Sequence, residues 1–190
     1  MNEKSNTIAE VCDALATNRK DIAADILRER YPFVPLENAG HHYSIKQTLG
    51  VFIRDGFTDR YSGSRLILPA ALRLISKMLP DEFPYQTNWR TDACHFAYYE
   101  LSATIDHNVP VSRGGNDDDS NWMTTSMARN FTKANFTLDE LGWSLQPPGD
   151  INKWDGLMGW FIAQEKLNSS ICAEPYFQRW LRAIGNLQLS

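Results

Sequence analysis

The chain has 190 residues, 43% hydrophobic and 12% aromatic, which is enough to bury a sizeable core and excludes a disordered polar chain. Its 19 basic and 23 acidic side chains leave a net charge of −4 with no Lys/Arg run or basic tail, which excludes tight non-specific binding through many phosphate contacts. No apolar run approaches a membrane span, MNEKSNTIAEVCD lacks a signal peptide's apolar stretch, and Cys12, Cys94 and Cys172 are odd in number and widely spread. These features predict a cytoplasmic protein with reduced core thiols and no membrane partner.

From the N-terminus, Ile8, Val11, Cys12 and Leu15 follow helical spacing, as do Ile22, Ile26 and Leu27, so a helical hairpin ending before Pro32 is expected. Tyr31 to Gly40, with Pro32 and Pro35, reads as a connector. His41-His42 reads as a loop pair, because no carboxylate or cysteine stands near it at ligand spacing. Ser44-x-x-Gln47 is a capping box opening a helix that stops near Gly56, and Pro69 starts another through Leu72, Ile75 and Leu79, closed by Pro80. His95, without a partner motif, is read as structural. Thr137-x-x-Glu140 caps a further short helix before Pro147-Pro148-Gly149 breaks the chain. Beyond it lie two apolar stripes, Trp154, Leu157, Met158 and Phe161, then Tyr176, Phe177, Trp180, Leu181 and Ile184. At that spacing core packing is favoured; base stacking and a homodimer surface are the other uses. Three segments are expected: a helical hairpin and connector over 1–40, a core over 41–145, and C-terminal aromatic helices over 146–190 packed on that core.

The stretch that carries chemistry runs from Ala103 to Lys133, ATIDHNVPVSRGGNDDDSNWMTTSMARNFTK. A strand-like lead-in delivers Asp106 and His107 side by side, and a loop with Pro110 and Gly114-Gly115 leads to Asn121. A polar helix then carries Asn130 and Lys133. Strand alternation sends Asp106 and His107 to opposite faces. His107 can take a proton from water near neutrality, while Asp106 and Asn130 are hard oxygen donors suited to Mg²⁺ or Mn²⁺. Asn130 and Lys133, three residues apart, share a helix face. Asp117-Asp118-Asp119 reads as the solvent side of the loop. As isolated features, the Asp-His pair is an ordinary turn and Asn121 an ordinary cap.

Taken in order, these elements resemble the HNH nuclease motif, in which a β-hairpin and a helix clamp one divalent metal against a scissile phosphate. The likeness extends over about residues 20–165, through GFTDRYSGSRLILPAALRLISKMLP, NWRTDACHFAYYELSATIDHNVP and LDELGWSLQPPGD, to stand-alone bacterial HNH proteins of about this size. It implies a mainly α fold with a small β-hairpin, a ββα-metal core with helical N- and C-terminal elaborations. It further implies a general base at His107, a loop-fixing Asn121, metal ligands at Asp106 and Asn130, and phosphate contact by Lys133, with Arg113 a second nucleic-acid contact. The activity implied is Mg²⁺- or Mn²⁺-dependent hydrolysis of DNA to 5′-phosphate and 3′-hydroxyl ends, in restriction or defence, with a homodimer suited to cutting both strands. A catalytically weak module that binds nucleic acid or protein, and an RNA-directed nuclease, are the alternatives.

Many HNH proteins carry a zinc knuckle whose cysteine frames fall here on DRYSG and SMARN, at Asp59, Ser62, Ser126 and Arg129. Serine and arginine are not zinc ligands, so no structural zinc is expected. An Asp59–Arg129 ion pair is the expected replacement cross-link.

Overall fold

The computed structural model describes residues 3–33 and 43–188. His41-His42 and the end of the connector, with Pro35, lie outside the described residues. The chain forms two compact units, Met1–Ala39 and Gly40–Ser190.

The first unit is the expected helical hairpin, α1 (Glu3–Ala16) and α2 (Lys20–Arg30). Its small core is Val11, Ala14 and Ala23 with Ile26 and Leu27. The buried face of α1 is therefore Thr7-Val11-Ala14, while Ile8, Leu15 and Cys12 are exposed. Small residues set the packed face because they let the two helices approach closely, and the larger apolar side chains lie at its margins. Cys12 is consequently a surface thiol, unlike buried Cys94 and Cys172.

The second unit has one large buried cluster and a smaller one around Leu72, Cys94 and Tyr98. Helix α3 (Ile45–Arg54) begins at the expected capping box, with Ser44 and Gln47 bonding reciprocally, and turns off at Gly56. A Cβ on Gly56 would lie 2.3 Å from the Gly149 carbonyl oxygen, so this turn and the Pro147-Pro148-Gly149 segment meet backbone to backbone. Helix α4 (Pro69–Met78) starts with Pro69 in its first turn, where the missing N–H costs nothing. Then come α5 (Ala97–Leu101), β1 (Ala103–His107), a 3₁₀ turn (Val111–Arg113), β2 (Trp122–Ser126), α6 (Met127–Lys133) and α7 (Leu138–Leu141). Helices α8 (Met158–Leu167), α9 (Ser169–Cys172) and α10 (Pro175–Gln188) complete the chain. The fold is mainly helical with one two-stranded antiparallel sheet, in which Asp106 pairs with Met123 and His107 with Trp122.

The C-terminal helices contribute side chains to the main buried cluster. Phe161, Cys172, Phe177, Trp180 and Ile184 share one buried cluster with Leu49, Phe52, Leu66, Ile105 and Trp122. The stripe read through Trp154 to Phe161 is broken, because Leu157 has φ +64° and α8 starts only at Met158. Trp154 instead donates its indole N–H to the Leu66 carbonyl at 2.7 Å. His95 stacks on Phe83 with ring centroids 4.3 Å apart and accepts the Ala97 amide, a structural role as expected. Among the described residues no helix is long and apolar enough to cross a membrane.

Candidate functional site

The loop between β1 and β2 is shaped by its own backbone. The Asn108 amide donates to the Asn121 carbonyl and closes the hairpin end at 2.8 Å. Gly114 ends the 3₁₀ turn at φ +87°, in the left-handed region that favours glycine. Gly115 is needed for a different reason: a Cβ there would lie 1.9 Å from the Val109 carbonyl oxygen. Asn121 clasps the assembly. Its Oδ1 accepts the Val109 amide at 2.9 Å, and its Nδ2 donates to the carbonyls of Val109 at 2.8 Å and Asn116 at 2.7 Å. Pro110, the double glycine and Asn121 are thus one device that fixes the chain just after His107.

On one face of β1, Asp106 Oδ2 accepts the Tyr61 hydroxyl at 2.7 Å and lies 2.9 Å from the Lys133 ammonium. Lys133 is fully buried, at 0% exposure, and also donates to the His107 carbonyl at 2.6 Å. Burial, then the charge of Asp106 and its hydrogen bond, push the Tyr61 phenol far above the tyrosine range, so it stays a donor. On the same helix Asn130 Nδ2 donates to the Ile105 carbonyl at 3.1 Å, so α6 is stitched along β1 at two levels.

His107 faces the other way, as alternation requires. Its Nε2 lies 2.8 Å from Asp117 Oδ1 and 3.3 Å from the Tyr43 hydroxyl. The same Asp117 oxygen accepts the Trp122 indole N–H at 2.9 Å. Burial, then the charges of Asp117 and Asp106, push the Tyr43 phenol up to about 12.

Several expectations are corrected by this geometry. Lys133 shares a helix face with Asn130, but that face points into the strand, so its ammonium neutralises Asp106 and is closed to a phosphate. Arg113 is exposed and pairs with Glu140 at 3.1 Å. Asp117 is not on the solvent side alone, since its carboxylate reaches inward to His107 and Trp122. Asp118 and Asp119 are exposed, Asp118 capping Ser120 and Asp119 3.4 Å from Arg54.

The zinc-knuckle frames do meet, though not through the ion pair. Asp59, 1% exposed, accepts the amides of Tyr61 at 2.9 Å and Ser62 at 3.2 Å, the Thr125 hydroxyl at 3.2 Å, and the Ser126 amide at 3.0 Å. Arg129 lies over the Trp143 ring, 5.1 Å from its centroid, and its own amide is capped by the Ser126 hydroxyl. An amide donor costs less to desolvate than a guanidinium, which is why a carboxylate this deep takes backbone partners.

Two groups escaped the sequence reading. Tyr61 reaches Asp106 from 45 positions away, inside the DRYSG frame, where its neighbours at the cysteine positions drew the attention. Asp55 is fully buried and accepts from Arg54, from Arg60 at 2.8 Å and from the Thr124 amide at 2.8 Å. Burial, the largest single influence, raises its carboxyl, but the Arg54 hydrogen bond, the Thr124 amide and both arginine charges together hold it below the usual range.

The donor set can be tested against a divalent cation. Asp106 Oδ1 takes no hydrogen bond among the described residues and is not sealed from solvent as Asn108 Oδ1 is. The amide nitrogen of Asn130 is fixed on Ile105, which leaves its Oδ1 as an acceptor. Among the described residues no three His, Cys, Asp or Glu side chains gather as a metal-binding group. A cation held here would rest on two protein oxygens and complete its shell with water and phosphate, a coordination that suits Mg²⁺. Comparisons with protein-family models, curated proteins and solved structures give no match, so a function must be argued from these side chains.

Proposed function

We propose that this chain is an HNH-type endonuclease hydrolysing DNA phosphodiester bonds to 5′-phosphate and 3′-hydroxyl ends. One observation carries the reading: Asn121 clasps Val109 from both sides while β1 presents Asp106 toward α6 and His107 toward the loop. A hard oxygen donor and an imidazole on adjacent residues of one strand support a reading in which the first holds a metal and the second takes a proton at the same phosphate. Asp106 and Asn130 are the residues that would hold Mg²⁺ or Mn²⁺. When bound, the metal supplies charge neutralisation at the phosphoryl group. His107 takes the proton from the attacking water, Lys133 holds the His107 carbonyl, and Asn121 holds the loop behind it.

A second reading, a module that binds nucleic acid or protein without turnover, draws on Lys133, whose ammonium already neutralises the candidate metal ligand. Plasmid nicking in Mg²⁺ or Mn²⁺ separates the two. We expect nicking that EDTA stops, and a rate lower by about 10²–10⁴ in His107→Ala with the thermal midpoint preserved. Absence of divalent-dependent cleavage of duplex DNA, single strands and structured RNA would leave the binding module; cleavage of RNA alone would move the substrate class.

A further inference from the structure

We propose that Asp117 is the positioning residue for His107, holding the imidazole in the tautomer that carries its proton on Nε2, so that Nδ1 presents the lone pair. The inference rests on the hydrolase reading for its chemical purpose, but its geometric basis is independent of it.

Asp117 Oδ1 lies between two nitrogens, Trp122 Nε1 at 2.9 Å and His107 Nε2 at 2.8 Å. An indole N–H can only donate and a carboxylate can only accept, so the Trp122 contact orients Oδ1 as an acceptor. A bare Nε2 lone pair 2.8 Å from the same oxygen would set two acceptors against each other. A hydrogen on Nε2 removes the conflict and gives a bond to a charged acceptor. The Tyr43 hydroxyl, 3.3 Å from Nε2, is a longer and weaker claimant for that nitrogen.

Trp122 holds the carboxylate and two further contacts hold the loop that carries it, although 41% of the side chain is exposed. Trp122 sits opposite His107 in the strand register, so donor and imidazole are fixed by one hairpin. Asn121 holds the carbonyl of Asn116, the residue just before Asp117. Gly115, two residues earlier, lies against the Val109 carbonyl with no room for a side chain. An ordinary surface ion pair has no such supports.

The proton balance follows. Water gives one proton to Nδ1 and its oxygen attacks phosphorus; the bond from phosphorus to the 3′ oxygen breaks, and that oxygen leaves with the electron pair and is protonated from water. The imidazolium, now with hydrogen on both nitrogens, faces the Asp117 carboxylate, which stabilises the charge it has gained. Replacing such a carboxylate by its amide leaves the shape intact and favours the wrong tautomer, because the amide nitrogen can donate to Nε2.

The test is imidazole ¹⁵N NMR on the full chain at a pH where His107 is neutral, alongside nicking kinetics. Wild type should show the Nε2-protonated tautomer and Asp117→Asn a shift toward Nδ1-protonated. kcat should fall by on the order of 10²-fold or more, with KM for duplex oligonucleotide changed by less than about threefold. Asp117→Glu should recover part of kcat, and Asp117→Asn should cost nothing further in a His107→Ala background. A wild-type proton on Nδ1, or an Asp117→Asn protein that keeps the Nε2 tautomer, would overturn the assignment whether or not the protein cuts DNA. The expected tautomers in a protein that cleaves nothing would sink the hydrolase reading and leave the positioning geometry standing.

Discussion

The two faces of β1 are built on opposite plans. Toward α6, Asp106 meets a lysine with no exposed surface and a buried phenol, both on its Oδ2. Toward the loop, His107 meets a carboxylate that is 41% exposed and a tyrosine at the edge of hydrogen-bonding range. The first arrangement contributes to stability and fixes shape, because a buried ion pair is costly to break. The second sets the imidazole against a partly exposed carboxylate, so that a rim residue can set its orientation. A single residue step along the strand separates a carboxylate bonded to buried donors from an imidazole bonded to a carboxylate at the rim.

Five substitutions sharpen that contrast. Lys133→Met should have the largest effect, leaving the Asp106 carboxylate and the His107 carbonyl without their buried donor and costing about 3–5 kcal/mol in urea unfolding. A loss under about 1 kcal/mol would mean that solvent already serves this face. Asp55 belongs to the same dry class and adds a pH signature. Its carboxyl is held low in the folded state, so its contribution is present above the ordinary carboxylate pKa and lost as pH falls through the depressed value. Asp55→Asn should therefore cost about 2 kcal/mol near pH 7 and much less near pH 2, compared by thermal melts across that range. A pH-independent difference would mean that packing, and not charge, sets its worth.

Asp59→Ala strands three amides and a hydroxyl at once, whereas Arg129→Ala loses only its place on Trp143, worth about 0.5–1 kcal/mol. Their double-mutant coupling should be near zero, within about 0.5 kcal/mol. A larger coupling would restore the ion pair that the sequence suggested. On the open face Asp117→Asn should shift stability by no more than about 0.5 kcal/mol while slowing turnover. Comparable losses in both would erase the distinction between the two faces.

What could be read in advance was local. Ser44/Gln47 and Thr137/Glu140 announce their helices because a capping box is complete within four residues, and both form. The Asp106-His107 pair, the double glycine and Asn121 were legible because strand alternation and backbone clearance are short-range rules. Lys133 shows where that ends: helical spacing put it beside Asn130, but only packing decides whether the shared face meets solvent or a strand. Tyr61 on Asp106, Asp55 under Thr124 and Asp59 under Ser126 depend on segments 45 to 69 residues apart, and no local pattern encodes such meetings. Asp117 was misread for the opposite reason, since an acidic run in a loop gives no sign that one member turns back.

The contacts between the α3–Asp59 segment and β2 have a bearing on how the chain folds. Thr124 to Val51, Thr124 to Asp55, Thr125 to Asp59 and Ser126 to Asp59 close loops of 73, 69, 66 and 67 residues, nearly the same loop each time. Closure entropy grows only with the logarithm of loop length and is largely met by whichever contact forms first. The remaining contacts then add with little further closure cost, so this seam should zip as one cooperative step. It cannot begin until β2 has been synthesised, which makes it a late, long-range event on the ribosome. In native-state hydrogen exchange the amides of Tyr61, Thr124 and Ser126 should open together, as members of one unit.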